Sequence, residues 1–288
     1  MKVDAFFEGG GILGVSFIGA YKALTERGIW IEKAVGISSG SFVAALVICG
    51  YTANELIEML NTNFTIFKQK TIISEKNYLG KPLSILLKKG IYDSQAIEDF
   101  VDKALQKKGV QYFNDVTYNG ESNLKIIAKD FTNKRLLLLP NDLPQYDHDP
   151  GCFKIAKAVR MSCSIPFYYI PYILKSRNKI NYIVDGGIIK DISTSIINNN
   201  NKLTKLTLRF KIKDKRKKWF DKINSSNNID CANDNREYER LITIFHDGKI
   251  KPTSFDLNRE QIIYLYNQGY KATIKFINDE FYKKNPCN

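Results

Sequence analysis

Ser38 stands at the centre of Gly36-Ile37-Ser38-Ser39-Gly40, a GxSxG placed between a short apolar run and a longer one. A serine hydroxyl becomes a useful nucleophile only when a base takes its proton and when it projects clear of the backbone. A sharp strand-to-helix turn achieves the projection, and flanking glycines remove side chains that would strike the neighbouring strand and helix. The helix N-terminus that follows adds unpaired amides and a dipole favourable to an incoming anion. The competing account is a glycine-rich turn in which Ser38 or Ser39 caps the helix.

A second cluster, Gly9-Gly10-Gly11-Ile12-Leu13-Gly14, also has the GxGxxG spacing of a dinucleotide-binding turn. That use requires an acidic residue about 20 positions on, at the end of the next strand. Here the next strand ends in Gly36 and the serine turn, and the nearest acids, Glu26 and Glu32, precede it. The dinucleotide reading fails on that point. The same geometry can serve as an oxyanion hole, whose exposed amides stabilise a tetrahedral intermediate.

The third signal is Asp185-Gly186-Gly187 after the apolar stretch 180–184. A carboxylate at a strand end, freed by two glycines, reaches the edge of a sheet; an isolated DGG is otherwise an ordinary strand-ending turn. A Ser-His-Asp triad would need His148 or His246, in "YDHDPG" and "FHDGK", both read as turns with no motif around them. A serine elbow without a supported histidine points to a Ser38–Asp185 dyad. The five cysteines are scattered and never spaced as CxxC, which argues against a disulfide framework and a zinc site and for a reducing compartment.

Strand 2–7, helix 15–27 closed by Gly28, strand 33–37 and helix 39–50 give strand–turn–helix twice within the first 50 residues. That alternation predicts an α/β fold with a central, mostly parallel sheet between helices. Further helices are expected at 53–61, 93–109, 152–163 and 258–283, paired strands at 123–130 and 135–139, and strands at 180–184 and 203–212. Residues 62–92 read as a cover over the site or an irregular connection, and 213–237 as a polar loop or insertion. No repeat or linker divides the chain, so one domain, 1–288, is expected.

Hydrophobic residues at 44% and charged residues at 25% match globular usage and exclude global disorder. No stretch has the form of a signal peptide, and none approaches the roughly 18 apolar residues of a membrane span. A cytoplasmic protein is expected, or one held at a membrane surface. The formal charge of +13 reflects either compositional bias or attraction to a polyanion. Nucleic acid is not expected, because no zinc-finger, RNA-recognition or helix-turn-helix pattern accompanies the charge. The segment "KIKDKRKKWFDK" (211–222), with seven basic and two acidic residues beside Trp219 and Phe220, is read either as a solvated loop or as an anionic-lipid contact.

The three motifs, in this order, resemble the patatin-like phospholipase family. "FEGGGILGVSFIGAYKALTERGI" is similar to its opening strand, glycine loop and first helix, "GISSG" to its elbow and "VDGG" to its aspartate turn. Weaker likenesses are 90–101, 158–171 and the closing helix. The resemblance implies a three-layer α/β fold with helices on both faces of the sheet. It implies cleavage of fatty acyl esters at a membrane surface, without metal or cofactor, by Ser38 as nucleophile and Asp185 as base. It also implies an oxyanion hole from the amides of Gly10 and Gly11, with Gly9 beside them. An acyltransferase on the same dyad and a non-catalytic binding module are the alternatives. Two departures stand out: Leu13 replaces a basic residue usual in that loop, and 188–193 lacks the polar-then-proline continuation after DGG.

Overall fold

Burial of alternate or continuous apolar stretches sets the order of elements in the computed structural model, which describes residues 1–63, 92–177, 179–189, 192–198, 205–215 and 238–282. In chain order these are β1 (Lys2–Phe7), α1 (Val15–Glu26), β2 (Trp30–Ile37), α2 (Ser39–Ile48), α3 (Ala53–Asn63), α4 (Gln95–Lys107), β3 (Thr117–Tyr118) and β4 (Glu121–Ser122). There follow β5 (Leu124–Asp130), β6 (Arg135–Leu139), α5 (Ile155–Ser162), β7 (Tyr172–Ser176), β8 (Lys179–Asp185), β9 (Thr207–Asp214), β10 (Glu239–His246) and α6 (Arg259–Ile277). The fold is mixed α/β.

Five neighbouring strands, β10-β9-β1-β2-β5, run parallel. β6 then pairs antiparallel with β5 over 126–130. β8 also pairs antiparallel with β5, over 128–130, and β7 pairs with β8. Each strand has two edges, and β6 already occupies one edge of β5 from 126 to 130. β2 on 124–127 and β8 on 128–130 must therefore share the other edge, meeting end to end. Ile37 lies opposite Ile127 and Asp185 opposite Ala128, so the two strand ends that carry the sequence motifs are brought together by strand register.

Alternation along the strands divides the apolar residues between two clusters. Val3, Ala5, Phe7, Ala34, Leu124, Ile126, Leu208 and Phe210 pack with buried residues of all six α-helices. Phe6, Val35, Ile37 and Ile127 point the other way and pack with Ile192 and Ile197 after β8. The sheet is thus covered by α-helices on one face and, among the described residues, by 3-10 turns at Gly186–Ile188 and Thr194–Ile197 on the other. α2 is buried along nearly its whole length, as a helix apolar on every side must be. α6 opens with a reciprocal Asn258–Gln261 cap and packs along α1.

The differences from the sequence reading have local causes. β2 starts at Trp30, because its first half is half-exposed and carries ion-paired Glu32 and Lys33, which hides the apolar signal. β7 and β10 differ from the sequence reading; β10, ERLITIFH, follows closely on the polar stretch 213–237 and is only eight residues long, and β7 is too short to show a period. α5 begins only at Ile155 and β9 at Thr207. His246 is the last residue of β10 and buried, not part of a surface turn. The cover segment expected at 62–92 and the insertion expected at 213–237 fall almost entirely outside the described residues.

Candidate active site

Ser38 joins β2 to α2 at φ 54° and ψ −127°, a backbone conformation that L-residues rarely hold and that costs on the order of 1–3 kcal/mol. The glycines on either side make it sterically feasible. A Cβ at Gly36 would lie 2.3 Å from Ser41 Cα, and one at Gly40 would lie 2.3 Å from the Phe7 carbonyl oxygen. The turn is held by a short run, the last residue of α5 and the two that follow it. Ser38 N–H donates to Ser162 Oγ at 2.8 Å, and Ser162 Oγ donates to the Ile127 carbonyl at 2.6 Å. Ser38 O accepts from Ser41 Oγ at 2.6 Å and Cys163 Sγ at 3.2 Å.

The same run positions the aspartate. Asp185 N–H donates to the Ser164 carbonyl at 2.9 Å, so three consecutive residues, 162–164, grip both strand ends. Asp185 is 5% exposed. Its Oδ1 accepts from Gly187 N–H at 2.6 Å, and Ser38 and Asp185 line the same cleft. Burial raises its pKa to about 6, against the lowering effect of the Ser38 side chain and the Gly187 hydrogen bond. A carboxylate so poised is a much better base near neutral pH than a solvated one at 3.8.

The glycine loop closes the site from β1. A Cβ on Gly9 would be 3.4 Å from Ser38 Cβ. The flanking amides of Glu8 and Ile12 donate to the Phe210 and Pro252 carbonyls. Among the described residues, those of Gly9, Gly10 and Gly11 donate to no backbone carbonyl. Three unspent donors beside a nucleophile are the raw material of an oxyanion hole. Leu13 is buried in the helix-side core and lines neither space around Ser38.

Those spaces differ in character. A cleft of about 540 Å³ is bounded by the glycine loop, Ser38, Asp185, Pro166, Ile188, Ile189, Arg209 and Lys211. A narrow apolar pocket of about 50 Å³ runs on the other side of Ser38, between Ile12, Phe42, Val43, Leu60, Tyr169 and Phe255. Ile165 borders both. Of the aromatic run 165–172, Tyr169 lines the pocket, Phe167 is solvent-exposed and Tyr172 lies against Arg160.

Ser38, Asp185, Gly9, Gly10 and Gly11 are therefore assembled in one place, while the histidines are not. His148 Nε2 is 2.9 Å from the Lys175 carbonyl and borders a separate cleft with Cys152. His246 Nδ1 accepts from Gly248 N–H, and neither histidine lines a space touching Ser38. Sequence reading missed the positioning run Ser162-Cys163-Ser164, whose only trace was its small, hydroxyl-bearing character. It also missed Glu8, Arg209 and Lys211 at the cleft, where Glu8 lies 2.6 Å from Arg209 and 3.5 Å from Lys211. Among the described residues no group of His, Cys, Asp and Glu could hold a metal ion, and no helix is long and apolar enough to cross a membrane.

The family description "Patatin-like phospholipase" matches residues 6–201. Uncharacterized protein YqhO of Bacillus subtilis is 29% identical over 96% of this chain and 98% of its own length. Probable lipid hydrolase 463L of Invertebrate iridescent virus 6 is 27% identical over 67% of this chain and 64% of its own. Among solved structures, VipD from Legionella pneumophila superimposes with a TM-score of 0.51 at 16% identity, covering 97% of this chain and 67% of that one. At that identity the likeness speaks for the fold alone.

Proposed function

The chain belongs to the patatin-like phospholipase family, and from that premise we propose that it hydrolyses fatty acyl esters of phospholipids or other glycerolipids through Ser38 and Asp185. Family membership makes it a lipid hydrolase in general terms. The observation that carries the finer reading is Ser38, at a turn strained to present its hydroxyl, sharing one cleft with a buried Asp185 whose pKa is raised to about 6.

Asp185 accepts the Ser38 proton as Oγ attacks the ester carbonyl, and the amides of Gly9, Gly10 and Gly11 receive the developing oxyanion. Collapse breaks the ester C–O bond, and Asp185 returns its proton to the departing alkoxide, leaving an acyl-serine. Water then attacks the acyl carbon, giving its proton to Asp185; this proton returns to Ser38 Oγ as the fatty acid leaves. The acyl chain enters the apolar pocket between Phe42, Leu60 and Tyr169, and the alcohol portion occupies the open cleft with Arg209 and Lys211. The substrate is met at a membrane surface, and the C-terminal half of β9, with Lys211 and Lys213, lies at the same end of the sheet as Ser38.

A panel of phospholipids and neutral glycerolipids incubated with the native chain and with Ser38→Ala tests the reading. Fatty acid release by the native chain alone, with fluorophosphonate labelling at Ser38, is expected. Labelling at Ser39, or undiminished release by the variant, would overturn the assignment.

A further inference from the structure

The β7–β8 hairpin does more than deliver Asp185. The ladder of β8 with β5 ends where Asp130 meets Ile183, and the turn after β5 holds Tyr182 through Phe131 N–H and Thr132 Oγ1. Residues 179–180 and the end of β7 project past that end of β5. That is the end at which β2 gives way to Ser38. Opposed residues of an antiparallel pair share a face, and here Ile173 opposes Tyr182 while Lys175 opposes Ile180. The other face, with Leu174, Asn181 and Ile183, is buried. The outward face leaves Ile173 48% and Ile180 54% exposed, with Lys175 between them.

This hairpin belongs to a longer exposed tract. Five of the twelve exposed large apolar side chains among the described residues fall within 167–188: Phe167, Ile170, Ile173, Ile180 and Ile188. Phe167 is held at φ 67°, a left-handed conformation unusual for an aromatic residue, directly after Pro166 of the cleft wall. Ile188 lines the cleft itself. The described exposed charges of this tract, Lys175, Arg177 and Lys179, are all basic; Arg177 lies 3.8 Å from Asp147. Apolar side chains interleaved with basic ones suit the boundary between anionic headgroups and acyl chains.

We propose that the β7–β8 hairpin, with Phe167 and Ile188, is the face by which the protein docks on an anionic lipid bilayer. Ile173 and Ile180 enter the boundary layer, Lys175 and Lys179 meet the headgroups, and the cleft opens beside them. The proposal rests on the acyl hydrolase reading for one point, that the bilayer holds the substrate.

Flotation with phosphatidylcholine vesicles containing phosphatidylglycerol tests it, in a Ser38→Ala background so that the vesicles are not consumed. Ile173→Glu/Ile180→Glu should weaken vesicle partition about ten- to hundredfold. The control Leu241→Glu/Ile263→Glu, also exposed, on β10 and α6, should bind as the parent does. With Ser38 intact, the hairpin variant should lose hydrolysis of vesicle lipid and keep hydrolysis of a soluble short-chain ester. Absence of parental binding, or equal loss in hairpin and control variants, would overturn the proposal. So would a dimer abolished by the hairpin variant while vesicle binding persists, which would reassign the face to a second copy of the chain. Failure of every form to cleave the soluble ester would sink the catalytic reading, while the partition result would still decide the docking face.

Discussion

Replacing Asp185 by Asn should make the protein more stable at neutral pH while removing its activity. The reason is the environment of the carboxyl group. Burial raises its pKa from 3.8 to about 6, so the folded state holds the proton more tightly than the unfolded state does. A group raised in this way contributes stability fully below the unfolded value, and that contribution is lost as pH climbs through the folded value. At 1.36 kcal/mol per pH unit, the interval from 3.8 to about 6 corresponds to a destabilisation on the order of 3 kcal/mol above pH 7. Asparagine carries no charge to desolvate. Its carbonyl oxygen can accept from Gly187 N–H and its amide can donate toward Ser38 Oγ, and a second amide N–H left without a partner costs less than desolvating a full charge. Urea unfolding followed by circular dichroism from pH 3.5 to 8 would measure the difference between the two proteins. Asp185→Asn is expected to lead by a few kcal/mol at pH 8, with the lead shrinking through pH 6 to 4. Its activity should fall by about 10²–10⁴. A variant equally or less stable at every pH, or a lead independent of pH, would refute the claim that Asp185 is a desolvated base.

The pH dependence of the native enzyme follows from the same group: kcat/KM on a soluble ester should fall below about pH 6 and stay level above it, and a flat profile down to pH 4.5 would exclude Asp185 as the base. Ser162→Ala strips the Ser38 N–H of its partner and frees the Ile127 carbonyl, so a loss of about 1–3 kcal/mol in stability is expected. It should also lower kcat more than it raises KM, whereas unchanged kcat in a destabilised protein would limit Ser162 to a structural role. The double variant His148→Ala/His246→Ala should retain ester hydrolysis per folded molecule, because neither ring borders the Ser38 spaces; loss of activity in a folded double variant would restore a histidine to the mechanism.

The candidate site residues were legible in the chain because they depend on local backbone demands. A serine at positive φ between a strand and a helix needs glycine at 36 and 40, and the close approaches to Ser41 and Phe7 show why. The alternation of short strands and amphipathic helices likewise announced a mostly parallel α/β sheet. The first half of β2, where Glu32 and Lys33 interrupt the apolar residues, and β10, a short run beside a polar stretch, were not visible, since their pairing depends on strands about 30 residues away.

What the sequence by itself determined is the set of groups: a serine at an elbow, a glycine loop, an aspartate at a strand end. Only the tertiary structure decided that they meet. β2 and β8 lie end to end on one edge of β5, and residues 162–164 bind both ends. The basicity of Asp185 is also a tertiary property. Desolvation depends on what surrounds the carboxyl group in space, and its surroundings come from residues more than a hundred positions away as well as from its neighbours in the chain.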